Sequence, residues 1–259
     1  MNDVLLNCQD IVKVFPGVRA LDGVGMRLRA GSVHALLGEN GAGKSTLIKV
    51  LTGVHSPDGG RLVWLGDEVH LRSPLEATRT GIGVVHQERN LIPGFSVAEN
   101  ITVTVWRKLA KALGFVSARE ERDIAHDLVD RLGIRVSGLG QNAGELSGGN
   151  QQKVSLAKWL AADTRLLIVD EPTVGVDVRT KHSFHELLWE LARNGLPILL
   201  ISSDLAEMIT LADRVVVMAD HRIRGEVAND RDYEHMSGRI IRLIHGRAVS
   251  AVTNKADAG

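Results

Sequence analysis

The chain has 259 residues, enough for one large domain or two small ones. Its 31 Lys and Arg balance 31 Asp and Glu, so no overall basic excess points to nucleic acid. The single cysteine, Cys8, excludes an intrachain disulfide and a cysteine-rich metal site, and fits a reducing compartment.

The N-terminal stretch MNDVLLNCQDIVKVF lacks the basic, apolar and small-residue regions of a secretory signal. No apolar run approaches the ~18 residues of a membrane span. The expectation is a soluble chain that meets a membrane only through a partner. Val33–Leu37 (VHALL) is apolar and followed by glycine, which predicts a buried strand. Lys44–Val54 predicts a helix with Leu47, Ile48, Val50 and Leu51 on its apolar side. Ile82–Val85 is another short strand. Residues 97–135 carry helical patterns and no convincing strand, and read as part of a helical subdomain, about 97–160, inserted into an α/β core. It closes on a helix at 151–162 carrying Val154, Ala157 and Leu160. LLIVD at 166–170 is a strand ending in acid. Helices at 180–194 and 204–212 alternate with strands at 198–202 and 214–218. His182 and His185, on the first of these helices, are expected to face solvent. Apolar strands alternating with helices predict a mostly parallel sheet covered on both faces. A small antiparallel β part is expected near the N-terminus. Residues 247–259 are small and polar and read as a flexible tail.

Gly38-Glu39-Asn40-Gly41-Ala42-Gly43-Lys44-Ser45 has the spacing G-x-x-x-x-G-K-S. Between a strand and a helix, such a loop lets successive backbone N–H groups wrap a polyphosphate, aided by the helix N-terminus. Lys44 is placed to reach the β- and γ-phosphates, and the Ser45 hydroxyl to ligate Mg²⁺. Asp170 and Glu171 close the LLIVD strand, at the carboxyl edge where ligands of open α/β sheets bind. Asp170 suits Mg²⁺, directly or through its waters, and Glu171 suits polarising an attacking water. An acidic pair opening a solvent loop would look the same without the phosphate loop upstream. Leu146-Ser147-Gly148-Gly149-Asn150-Gln151 precedes the helix at 151–162. It is a second donor-rich helix start suited to an anion. Alone it reads as a plain N-capped helix after a glycine turn. Beside a complete phosphate loop, it makes sense facing the γ-phosphate of another subunit.

With these motifs in this order, from about Leu5 to Gly246, the chain resembles the nucleotide-binding subunit of an ATP-binding cassette (ABC) transporter. The resemblance implies a P-loop NTPase core and one ABC ATPase domain over residues 1–246, with ATP and Mg²⁺ as cofactors. Phe15 in KVFPG falls where the family stacks adenine. Gly38 through Thr46 is the Walker A loop. Gln87 in VVHQE is the Q-loop glutamine, which touches Mg²⁺ and the attacking water and senses the permease. Ser147, Gly148, Gly149 and Gln151 form the signature that acts in trans. Asp170 and Glu171 complete Walker B, with Glu171 as catalytic base. Asp177 lies in the D-loop.

The wording LSGGNQQKV, with LAKWLA after it, resembles the monosaccharide-importer branch, which usually fuses two cassettes in one longer chain. Residues up to about 100 resemble that branch's first cassette, and those beyond resemble its second. A homodimer of this hybrid would pair a first-type Walker A with a second-type signature at two equivalent sites; a heterodimer stays open. The family's switch histidine is replaced: Ile201-Ser202-Ser203-Asp204 puts Ser203 in its place. Val174 stands where the family usually has arginine.

The resemblance implies an ATP hydrolase that energises sugar uptake. It implies transmembrane permease partners, a second cassette and a periplasmic or extracellular sugar-binding protein, without nucleic acid. The cassette would sit in the cytoplasm, peripheral on the inner face of the cell membrane. Two alternatives compete: an ATP-gated module that turns over weakly, which Ser203 suggests and Glu171 opposes, and an ABC ATPase with no transporter. GTPase chemistry is rejected. Asn254–Asp257 has the guanine-reading spacing but lies in the polar tail, and Asp22–Gly25 precedes the phosphate loop.

Overall fold

In the computed structural model, residues 4–86, 90–110, 116–173 and 177–245 are described. The chain opens with two long antiparallel strands, β1 (Val4–Phe15) and β2 (Val18–Arg29). The turn between them has Gly17 at φ +81°. With β4 (Gly59–Trp64) and β5 (Asp67–Val69) they form a four-stranded antiparallel sheet in the order β2-β1-β4-β5. Its inner face alternates Leu6, Cys8 and Ile11 with Leu62 and Trp64. Burial pushes the Cys8 thiol up to about 12, so it stays protonated and packs as a small apolar group.

The second sheet has six strands in the order β10-β9-β3-β8-β7-β6. β3 (Val33–Gly38), β6 (Ile82–Val85), β7 (Leu166–Asp170), β8 (Ile198–Ile201) and β9 (Arg214–Ala219) run parallel. β10 (Arg222–Ala228) returns antiparallel along β9. The pleat explains why the parallel strands are apolar without a break. Val33, Ala35, Leu167, Val169, Leu200 and Val217 point to one core, while Leu36, Leu166, Ile168, Leu199, Ile201 and Val216 point to the other. The second core lies between this sheet, α1 (Lys44–Leu51) and the antiparallel sheet. The first core takes the helices that follow.

Between β6 and β7 the described residues form four α-helices: α3 (Val97–Thr102), α4 (Trp106–Leu109), α5 (Ala118–Arg131) and α6 (Gly148–Ala161). α3 starts in a capping box, with Ser96 Oγ accepting from Glu99 N and the Glu99 carboxylate accepting from Ser96 N. Two isolated bridges, Ser96–Asn142 and Ala110–Val116, are the β pairing in this region among the described residues. α2 (Pro74–Thr80) precedes β6, α7 (Val178–Arg193) and α8 (Leu205–Leu211) flank β8, and α9 (Tyr233–Ile244) packs on β9 and β10.

The strands predicted at 82–85 and 166–170 are found at those residues, and those at 198 and 214 differ by one residue at the end. Three helices differ more. α1 stops at Leu51, where Thr52 Oγ1 turns back to Ile48 O at 2.9 Å and Gly53 takes φ +70°. α6 begins at Gly148 and α7 at Val178, because Ser147 and Asp177 are the caps. No helix among the described residues is long and apolar enough to cross a membrane. The predicted tail at 247–259 lies outside the described residues.

Candidate functional site

The phosphate loop hangs between the carboxyl end of β3 and α1. Gly38 must be glycine: a Cβ there would sit 2.4 Å from Met218 O on β9. Gly43 is the N-cap of α1 at φ +110°, and its Cβ would meet Ala20 O at 2.6 Å. Loop and helix are knitted by Ala42 N donating to Glu39 O at 3.1 Å and Leu47 N to Gly43 O at 2.9 Å. Ala42 is buried, while Glu39, Asn40, Gly41 and Ser45 are exposed. Lys44 Nζ folds over the loop, donating to Gly38 O at 2.5 Å and Glu39 O at 3.2 Å.

Glu39, Asn40, Gly41, Gly43, Lys44, Ser45 and Thr46 line a cleft of about 230 Å³ with Val18, Ala20 and His221. Clefts of about 450 and 310 Å³ occur elsewhere, but neither contains phosphate-loop residues. Phe15 does not line the cleft. Its ring meets His55 edge-on at 5.2 Å, with Lys13 Nζ 5.5 Å from its centroid. His221 takes a place there that the sequence did not reveal. It sits in the β9–β10 turn at φ +64°, held by Asp22 N donating to its carbonyl at 2.9 Å.

The two carboxylates stand at the end of β7, beside the end of β8. Asp170 closes β7, and burial pushes its pKa above the usual carboxylate value, against the opposing charges of His86 and Lys44. Glu171 takes φ +48°, a conformation that a non-glycine residue holds only where its surroundings enforce it. Here Glu171 N donates to Ile201 O at 2.8 Å, carrying the β7–β8 ladder one residue further. Ser203, at the switch position, donates its Oγ to Glu171 Oε2 at 3.1 Å. Gln87 and Val174 lie outside the described residues.

The signature helix start is elsewhere. Ser147, Gly148, Gly149 and Gln151 do not line the cleft around Lys44. Ser147 is exposed and accepts from Asn150 Nδ2 at 2.9 Å. Gln151 Nε2 braces the preceding loop at Gly144 O and Leu146 O, 3.0 and 2.9 Å. Gly149 rests on Thr180, where a Cβ would fall 2.3 Å from Cγ2. Asp177 caps α7 at the same place, accepting from Thr180 N at 3.0 Å and Thr180 Oγ1 at 2.7 Å, which holds its pKa below the usual range. Gly149 and Asp177 thus meet the same residue, Thr180, within one chain.

Residues 21–174 match the family described as ABC transporter. The chain belongs to that family. A ribose import ATP-binding protein of Rubrobacter xylanophilus is 40% identical over 245 residues, covering 95% of this chain and 48% of that one. One from Bacillus subtilis is 38% identical over 215 residues, 83% of this chain and 43% of that one. The chain spans about half the length of the relatives it matches. A nucleotide-free ATP-binding cassette from an ABC transporter superposes with a TM-score of 0.79 at 26% identity, over 93% of this chain and 98% of that one. The ADP conformation of another such cassette gives 0.78 at 27% identity, over 94% and 99%.

One expectation for the cassette is overturned. His182 is exposed as predicted, but His185 is 7% exposed, and its Nε2 donates to Glu207 Oε1 at 2.7 Å. Glu207 is itself 2% exposed, a buried carboxylate that sequence reasoning passed over. At the third position of a helix capped by Asp204, it reads as an ordinary exposed capping glutamate. The available signal was its neighbour Met208, since the two begin the buried side of α8.

Proposed function

We propose that this cassette binds ATP and hydrolyses it at a site shared between two copies, to energise sugar uptake through transmembrane permease partners. The observation that carries the proposal is the separation of two anion-binding helix starts. The phosphate loop is complete in its own cleft, and Ser147–Gly149 offers a second set of donors away from it. That second set has a use if it faces the cleft of another copy. The ribose import names of the relatives support a sugar as cargo; a cytoplasmic position against the membrane and a sugar-binding protein outside belong to the same proposal.

The residues present fit Mg²⁺. The Ser45 hydroxyl and Asp170 carboxylate are hard oxygen donors, which this ion prefers, with phosphate oxygens and waters for the remaining positions. When bound, the ion neutralises charge between the phosphates. The chain's own residues do the rest. The N–H groups of residues 39–46 cradle the phosphates, and Lys44 exchanges its loop carbonyls for phosphate oxygens. Glu171 orients a water and accepts its proton, and the Ser203 hydroxyl steadies that carboxylate. Gln87 is proposed to touch the water and the metal, and Phe15 to reach the base after turning from His55.

The test is the steady-state ATPase rate against protein concentration, with Glu171→Gln as control. A rate rising faster than linearly and absent in the variant supports a self-sufficient pair. ATP binding with no Glu171-dependent rate, even with permease added, favours the weakly hydrolysing module that Ser203 suggests.

A further inference from the structure

We propose that Glu207 is a positioning residue for hydrolysis: a buried carboxylate that holds the loop carrying Glu171 and the loop carrying Ser203 in register with each other. The proposal rests on the ATPase reading above. Glu207 collects groups from three separate segments. Its Oε1 accepts from Thr173 Oγ1 at 2.7 Å, just beyond Glu171, and from His185 Nε2 on α7 at 2.7 Å. Its Oε2 accepts from Ser202 Oγ at 2.5 Å, at the end of β8. Lys181 Nζ lies 3.9 Å from Oε1 and donates to Asp204 Oδ2 at 2.6 Å.

These contacts close around Ser203 from both sides. Ser202 Oγ, while donating to Glu207, accepts from Asp204 N at 3.0 Å. Ser203 lies between two residues so fixed, and its own hydroxyl reaches Glu171 Oε2 at 3.1 Å. In the turn after β7, Thr173 is tied to the same carboxylate two residues after Glu171. Glu207 is buried and does not line the phosphate cleft, yet it sets the spacing between the catalytic carboxylate and its hydroxyl donor. Burial alone would raise its pKa. The bonds from His185, Ser202 and Thr173, with the Lys181 charge, outweigh that and keep it ionised. A buried ion of this kind is weak support for stability, and its use is to specify one arrangement. Met208 and Leu211 already supply the apolar contacts of α8. Without an imidazole at the switch position, the hydroxyl has to be held where its single bond is useful.

The test uses the full chain and a double-mutant cycle on kcat and KM. Ser202→Ala cuts one tether and Ser203→Ala removes the hydroxyl that it positions. Each is expected to lower kcat by about tenfold with KM for ATP changed less than about twofold. The double variant is expected to be no slower than the slower single. Losses that multiply, or a raised KM with kcat intact, overturn the proposal. A second readout needs no turnover: amide exchange in Glu207→Gln, with Ser202→Ala as the milder variant. Faster exchange at Glu171 and in residues 201–204 together, with α1 unchanged, supports the coupling. Faster exchange in α8 alone, or throughout the domain, overturns it. Absence of any Glu171-dependent ATPase in the unaltered chain overturns the ATPase reading instead, and the exchange result still decides the role of Glu207.

Discussion

The phosphate loop and the carboxylate edge, proposed to serve one reaction, are built in opposite ways. The loop is contiguous, from Gly38 to Thr46, and its working groups are mostly backbone N–H. Side chains matter there chiefly by being absent, as at Gly38 and Gly43. The carboxylate edge joins Glu171 to Ser203, and Glu207 to Thr173, Ser202, His185 and Lys181, and its working groups are side chains. A single substitution should break the first by sterics and the second by charge or hydrogen bonding.

The largest expected effect is at Glu171. Glu171→Gln removes the proposed base and keeps the shape, so turnover should fall by about a thousandfold with ATP affinity preserved. Single-turnover hydrolysis and equilibrium nucleotide binding separate the two. Loss of binding as well would mean that the two regions are not separable. Next is Gly43→Ala, which forces a side chain to φ +110° and onto Ala20 O. Destabilisation of about 3 kcal/mol, read from the urea midpoint at unchanged m-value, is expected together with loss of nucleotide binding.

The contrast also explains what was legible from the sequence. The loop's spacing, its strand and its helix could all be read in order, as could LLIVD and its acids. Alternation between two cores makes each parallel strand continuously apolar, and that pattern survives without tertiary knowledge. The long strands β1 and β2 could be anticipated only as an antiparallel part, because their inward residues are interrupted by shifts in register. Phe15 and His55 are far apart in sequence, so their contact could not be read. The Glu207 cluster was invisible for the same reason. Thr173, His185, Ser202 and Glu207 look like routine helix and loop residues until the fold brings them together.

A smaller test probes burial without either site. His34 in β3 is fully buried, and its Nε2 accepts from Arg29 N at 3.1 Å. Burial pushes its pKa down to about 4. The unfolded chain takes up this proton near pH 6.5, whereas the native chain resists until about 4. The unfolded state thus binds more protons in that window, and stability falls as pH drops through it, by about 3 kcal/mol in all. Above pH 6.5 the residue contributes no slope. His34→Gln, whose amide oxygen can still accept from Arg29, should remove this part of the pH dependence in urea titrations.

The finest comparison lies within α7. His185→Ala withdraws a donor from buried Glu207 and should cost about 2 kcal/mol. His182 is three residues earlier on the same helix, 73% exposed and 3.6 Å from Glu186, itself exposed. His182→Ala should change stability by less than about 0.5 kcal/mol in the same urea titration. Three residues turn a helix by about 300°, so the two rings point only ~60° apart. Helical periodicity alone therefore places them alike, next to the stripe of Phe184, Leu188 and Leu191. A carboxylate from another element makes the difference. Glu207 reaches α7 from the buried face of α8 and draws in only the ring beside it. A His182 effect as large as that of His185, and dependent on protein concentration, would place the outer face of α7 against a second copy.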